Sequence, residues 1–267
     1  MMIRLKSTIG PRLLEWFASH PLLSDGDSNA KTSKGGEGIR AAILYAAPAA
    51  VAGVGNLCAW ASAGCRAACL YTAGHGGKST VQEARIRKAR HFMINRSEFL
   101  SQLHSELTRL TRLSRRSGDM PVARLNGTTD IPWEKFDVPQ NHPGIQFYDY
   151  TKSKRRALDN AAGKHAANYH LTYSRVETDS PREIVELTDA GVSVAVVFDT
   201  PKGEPLPSHW HGVEVIDGRA DDWRFRDPRG VIVGLSALGA AKRDTTGFVV
   251  NAPHPAIKAI TWIQEAA

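Results

Sequence analysis

All the cysteine in this 267-residue chain falls within twelve residues, at Cys58, Cys65 and Cys69. A buried free cysteine packs as a small hydrophobe and has no reason to cluster. Soft thiolates gathered on one loop instead suit zinc or an iron–sulfur cluster. An odd count leaves no complete disulfide pairing. Three thiols also leave one coordination position open for substrate, water or a nearby side chain such as His75, as in a catalytic metal site rather than a closed structural one.

The spacing C-x6-C-x3-C differs from the paired cysteines of zinc knuckles, and small residues (Ala59, Ala61, Ser62, Ala63, Gly64) fill its longer gap. Such a loop can wrap a cuboidal cluster, [4Fe-4S] first among the choices, and offer backbone N–H groups to its sulfides. Zinc and no metal are the alternatives. Radical S-adenosylmethionine enzymes use C-x3-C-x2-C. Cys65 and Cys69 supply the first half and Tyr71 follows, but the last cysteine of that pattern would fall at Thr72. The third thiol lies upstream at Cys58 instead, which puts S-adenosylmethionine binding in doubt even where a cluster is present.

NAKTSKGGEG (Asn29 to Gly38), GNLCAWASAGCRAACLYTAG (Gly55 to Gly74) and RLNGTTDIPWE (Arg124 to Glu134) together resemble the bacteriophage gene-product-88 family. FYDYTK, NYHLTYS, VAVVF and GLSALGAAKRDTTGF continue the likeness, so it spans nearly the whole chain after residue 28. The resemblance implies a phage protein with a three-cysteine metal site on a barrel like that of radical enzymes. It implies no particular reaction.

A chain of this length can hold its core in one large α/β domain. Residues 1–28 read as an N-terminal extension, with a short helical pattern at Leu13, Leu14, Trp16 and Phe17. Residues 29–267 read as the barrel domain, carrying the metal loop at 56–77. From Pro121 onward, apolar strand-like runs alternate with helical or loop segments: Pro121 to Asn126, Ile145 to Tyr150, Asn168 to Ser174, Val192 to Asp199, Val213 to Asp217, Gly230 to Leu235 and Phe248 to Val250. With the run at Ile39, these predict a single (β/α) barrel, irregular or incomplete, with a doubly wound open sheet as the runner-up. The run VSVAVVF is apolar on both faces, as a covered parallel strand must be.

Two helices are expected ahead of these strands. One, from Ser79 to Ile94 with Ser79 or Thr80 as cap, carries Arg85, Arg87, Lys88, Arg90 and His91 around an apolar stripe. Its basic side would be a solvated face or a phosphate-backbone contact. The other, capped by Ser97, buries Leu100, Leu103, Leu107 and Leu110. The segment Gly74 to Thr80 reads as a glycine-rich helix entry rather than a true phosphate loop.

Period-two reading of three strands places polar groups near their C-terminal ends: Arg124 and Asn126, then Asp149, then His170, Thr172 and Ser174. With Asp130 from the following loop, Asn126, Asp130, Asp149 and His170 are the candidate catalytic residues. Lys152 and Ser174 are candidates for holding a cofactor or an anionic group. The alternative is a set of satisfied hydrogen bonds between strands. Asp217, Asp221 and Asp222 lack calcium-loop spacing, and His209 and His211 read as surface loop.

The net charge of +7 favours an anionic partner, nucleic acid or nucleotide first. No apolar run approaches the roughly 18 residues of a membrane span, and no signal-peptide core is evident, so a cytoplasmic place in the infected bacterial host is expected. Oligomeric state is not legible. The leading expectation is an iron–sulfur enzyme that modifies a nucleobase, nucleotide or nucleic acid. Its rivals are a zinc-stapled transglycosylase-like barrel using Asp130 or Asp149 as nucleophile and a nonenzymatic nucleic-acid-binding or regulatory metalloprotein.

Overall fold

A computed structural model describes residues 20–26, 36–201 and 203–252. The helical pattern at Leu13 to Phe17, and residues 29–35 of the stretch from Asn29 to Gly38, lie outside the described residues.

The strands are β1 (Leu23–Asp25), β2 (Ile39–Leu44), β3 (Met120–Arg124), β4 (Gln146–Thr151), β5 (Tyr169–Ser174), β6 (Val194–Phe198), β7 (His209–Trp210), β8 (Val213–Asp217), β9 (Ile232–Ser236) and β10 (Val249–Val250). The helices are α1 (Ala63–Ala67), α2 (Ser79–Ile94), α3 (Arg96–Ser117), α4 (Val138–Asn141), α5 (Lys154–Ala161) and α6 (Pro181–Asp189). All ten strands join one sheet in the order β1-β2-β3-β4-β5-β6-β9-β8-β7, with β10 beside β6. From β2 to β8 the pairing is parallel. Among the described strands only β1 against β2 and β7 against β8 are antiparallel.

The mixed α/β architecture expected from the alternating pattern is present. The barrel closure is not, because β1 occupies the outer edge of β2, β7 occupies that of β8, and no pairing among the described strands joins the two. The sheet is nevertheless strongly curled. Four strands separate β3 from β8, so a flat sheet would hold them roughly 24 Å apart. Yet Arg124 at the end of β3 bonds Asp222, just after β8, at 2.7 Å. Part of the expected N-terminal extension, Leu23–Asp25, belongs to this sheet, and His209–Trp210, read as loop, form a short strand.

The two faces of the sheet pack differently. Ala42, Leu44, Ala123, Leu125, Phe147, Tyr169 and Leu171 face outward onto Phe92 of α2 and Phe99, Leu103, Leu107 and Leu110 of α3. The concave face gathers Ile39, Ala41, Val122 and Tyr148 around Trp223. Residues at intervals of three and four put one stripe of α3 inward, and Gly118 ends the helix at φ 79°, a conformation only glycine adopts without strain. Caps differ from expectation: Asn95 precedes α3 with Ser97 inside its first turn, and Lys78 precedes α2. Among the described residues no helix is long and apolar enough to cross a membrane.

Candidate metal centre

The cysteine loop follows β2 and lies across the ends of the neighbouring parallel strands. The Asp130 N–H, in the segment after β3, donates to the Leu57 carbonyl at 2.9 Å. Cys58 Sγ sits 4.0 Å from the Thr128 carbonyl. Past β5, Glu177 accepts from Ser62 Oγ at 2.5 Å and from the Gly64 N–H at 2.8 Å, while Ser62 Oγ caps α1 by accepting from the Cys65 N–H. A β-carbon on Gly64 would lie 2.5 Å from Thr246 Oγ1 and 2.8 Å from Glu177, so a larger residue would have to displace these side chains. Behind Cys69, the Tyr71 carbonyl accepts from Arg85 at 2.7 Å. The anchors from Thr128, Asp130 and Glu177 stand past the C-terminal ends of β3 and β5, where sheets of this kind place their chemistry.

Two cations flank the thiols. Burial pushes the Cys58 thiol up to about 12. Burial also raises Cys65, opposed chiefly by the charge of Lys152. Lys152 is itself pushed down to about 8 by burial, with Cys65 the largest influence in the other direction. Its Nζ donates to Ser174 Oγ at 2.9 Å and to the Arg175 carbonyl at 2.6 Å, 4.5 Å from the centre of the Phe248 ring. On the other side, Arg85 lies between the rings of Tyr45 and Tyr71 at 5.1 and 5.5 Å. Burial lowers its affinity for its proton, and Tyr45, Tyr71 and Cys69 oppose that. Neither cation makes a carboxylate salt bridge among the described residues.

Lys152 and Arg85 favour negative charge on the thiols, whereas burial of Cys58 and Cys65 opposes it, so the thiolates would be set only by binding a metal or cluster. Among the described residues, no three His, Cys, Asp or Glu side chains converge as ligands of one metal ion. A cluster makes a different demand, because each thiolate binds a different iron. His75, a candidate fourth ligand, is exposed on the turn Gly74–Gly77.

The candidate catalytic residues divide. Asn126, Asp130 and Asp149 stand beneath the loop, all buried. Asp149 accepts from the Asn126 N–H at 2.6 Å, Asn126 Nδ2 at 3.3 Å and Tyr169 Oη at 3.0 Å. Burial pushes its carboxyl up to about 7. Asn126 Oδ1 accepts from Thr129 Oγ1, the Ile131 N–H and Trp133 Nε1, which folds the whole segment after β3 around one amide. Asp130 accepts from the Lys152 N–H at 2.8 Å, Thr151 Oγ1 at 3.2 Å and Arg156 Nη1 at 2.5 Å. Arg156 is also held by Glu134 at 2.7 and 2.9 Å. These carboxylates meet the description of satisfied buried hydrogen bonds.

His170 lies elsewhere. The β4–β5 register pairs Asp149 with Leu171 and Tyr148 with His170, so the histidine shares the concave face with Tyr148 and is turned away from Asp149. It lines a cavity of about 310 Å³ with His165, Asp227 and Arg229 at the opposite end of the strands. Burial pushes it down to about 4, helped by Arg229 and Arg224. Lys152 and Ser174 are brought together by the hydrogen bond between them.

The basic face expected on α2 is only partly a surface. Arg87, Lys88 and His91 are buried, Arg85 turns onto Tyr71, and Arg90 is exposed while donating to the Ala52 carbonyl at 3.0 Å. The exposed arginines of α3 (Arg112, Arg115, Arg116) line a surface groove of about 530 Å³ with His142 and Gly144. Asp217, Asp221 and Asp222 pair with Arg219, Arg224 and Arg124. Sequence reasoning missed Glu177, Arg156 and Trp60. The first two show themselves only through distant partners, whereas Trp60 lies in plain view between two of the cysteines.

No curated protein and no solved structure matches this chain. A model of the Gene product 88 family, the phage family that the motifs resemble, matches residues 21–252, and the chain belongs to that family.

Proposed function

We propose that this phage protein binds an iron–sulfur cluster, [4Fe-4S] in the simplest case, through Cys58, Cys65 and Cys69. We read it as an enzyme that modifies a nucleobase, nucleotide or nucleic acid in the cytoplasm of the infected host. The carrying observation is the setting of the thiols: one loop, at the C-terminal ends of the parallel strands, between two cations that make no carboxylate salt bridge among the described residues, although Asp130, Asp179 and Glu177 act on Lys152 from further off. When bound, a cluster on three cysteines supplies an iron with one position left for substrate or for electron transfer.

The residues around it have distinct tasks. Lys152 uses two of its three N–H donors on Ser174 and the Arg175 carbonyl, leaving the third for an anionic substrate group. Asn126 and Asp149 hold the wall beneath the loop, and Asp130 with Arg156 holds the wall beside it; they position rather than react. Attack on a sugar by either aspartate is disfavoured, since the oxygens of both already accept from several donors. The staple reading is disfavoured for a related reason. Glu177 and the Asp130 N–H already fasten the loop through hydrogen bonds. We further read the curled sheet as a barrel left open at β1 and β7.

Anaerobic purification tests this. Iron and acid-labile sulfide in near-equal amounts, with visible charge-transfer absorption lost in Cys58→Ser, Cys65→Ser and Cys69→Ser, is the expected result. Stoichiometric zinc without sulfide, from iron-supplemented cells, would overturn it.

A further inference from the structure

Trp60 stands between Cys58 and Cys65 and is 36% exposed. A tryptophan in a loop of small residues is costly to leave in water, yet this one is not free to fold away. The Arg156 guanidinium lies 5.3 Å from the centre of its ring. That guanidinium is itself fixed by Glu134 and Asp130 on α5's inner side. One face of the indole is therefore backed by a clamped cation, and the ring is held rigid at the surface.

The neighbourhood says what would meet the outer face. Val51, Leu70 and Leu238 are the other exposed large hydrophobics on the cysteine segment and on the turn packed against it, where a β-carbon on Gly239 would touch Ala73 at 3.2 Å. On the same segment Arg66 and Lys78 are exposed and make no salt bridge among the described residues. An exposed aromatic face on a loop that also carries an exposed cation, Arg66, with Lys78 following the loop, both without a salt bridge among the described residues, matches a ligand that is flat on one part and anionic on another.

We propose that Trp60 is a stacking platform for a nucleobase of single-stranded or extruded nucleic acid, with Arg66 and Lys78 receiving its phosphates. Stacking on an aromatic ring tolerates any base, because every base has a π-face. The inference rests on the reading of a nucleic-acid substrate and names the form in which that substrate arrives: an unpaired base delivered to the open side of the cysteine loop. Arg156 acts through Trp60, by holding its plane.

The test uses the full-length protein purified anaerobically, a fluorescently labelled oligothymidylate and an abasic oligomer of equal length and charge. Anisotropy titrations should show Trp60→Ala binding oligothymidylate roughly tenfold more weakly than wild type. Trp60→Phe should keep most of the affinity, and iron content should be unchanged in both. Wild type should bind the abasic oligomer about as weakly as Trp60→Ala binds oligothymidylate. Equal affinity of wild type for the two oligomers, or unchanged binding by Trp60→Ala, overturns the platform while leaving a nucleic-acid substrate in place. Absence of binding to either oligomer at low salt overturns the platform and the nucleic-acid reading together, with the iron measurement standing apart from both. Should Trp60→Ala instead convert a dimer to a monomer in light scattering, the patch is a self-contact and the platform is overturned.

Discussion

The two ends of the parallel strands both hold titratable groups and use them in opposite ways. At the C-terminal end, carboxylates are consumed by hydrogen bonds that build walls, and the cations beside the thiols make no carboxylate salt bridge among the described residues. At the N-terminal end, His165, His170, Asp227 and Arg229 line an actual cavity, but Asp227 is already joined to Arg224 at 2.9 Å. An open cavity by itself marks packing left incomplete. Thiols grouped beside partly desolvated cations, with carboxylates near Lys152 but none bonded to it among the described residues, are the kind of perturbed surroundings that functional sites have.

That contrast can be broken most sharply at the thiols. Serine at any one of Cys58, Cys65 and Cys69 should abolish iron and sulfide binding, whereas His170→Ala should leave both unchanged by metal analysis. Loss of iron on changing His170 would move the centre to the wrong end.

The next effect is on stability. Arg156→Met leaves Asp130 and Glu134 buried without their cation, and breaking such a pair costs about 3–5 kcal/mol. His165→Ala, at the other end, should cost far less in the same denaturant titration. Equal losses would mean that the walls of the cysteine end are no more tightly built than those of the cavity.

Asp149→Asn sharpens the comparison through pH. Burial raises the Asp149 carboxyl to about 7, against the partial opposition of the Asn126 N–H, Arg124, Tyr169 and Arg156. The unfolded carboxyl titrates at about 4, so between these values the native state binds more protons and stability falls as pH rises. The contribution is complete below pH about 4 and is lost as pH passes about 7. Asn126 would face an amide in place of one acceptor, at a cost of about 1–3 kcal/mol. Asp149→Asn should therefore be less stable at pH 5, flatter from pH 5 to 8, and unchanged in iron content. An unaltered pH slope would show that Asp149 is ionised throughout.

The smallest effect separates two basic surfaces. Replacing Arg66 and Lys78 with glutamine should lower the salt dependence of oligonucleotide binding by one to two in log–log slope, about one per phosphate contact. Replacing Arg112 and Arg116 on α3 should leave that slope unchanged. The reverse result would place the nucleic acid in the groove at the N-terminal end.

Much of this was legible in the chain. The long α3 and the strands β3 to β5 betray themselves by period, since an element with one buried side must repeat apolar residues at its own pitch, while β6 betrays itself as an unbroken apolar run covered on both faces. The cysteine loop is legible because thiols are rare and clustered. What escaped notice depends on register. Asp149 and His170 both sit at polar positions of their strands, but the pairing of Asp149 with Leu171 sets them on opposite faces, and no single strand contains that information. Closure was beyond reach for a similar reason: whether β2 ends on another parallel strand or on Leu23–Asp25 is decided by segments far apart in sequence. Arg87 and Lys88 read as solvent-facing because charge argues for exposure, and the fold buries them all the same.

The strands that bar closure have a consequence for how the molecule behaves among its copies. A parallel sheet with bare edges offers two rows of unpaired peptide groups, a template on which any passing chain can polymerise. Among the described residues one edge ends on three residues and the other on two, each running against its neighbour. Strands so short give an incoming chain almost no ladder to extend. The open sheet is thus blunted at both ends against fibre-like growth, a protection that full closure would otherwise have to supply.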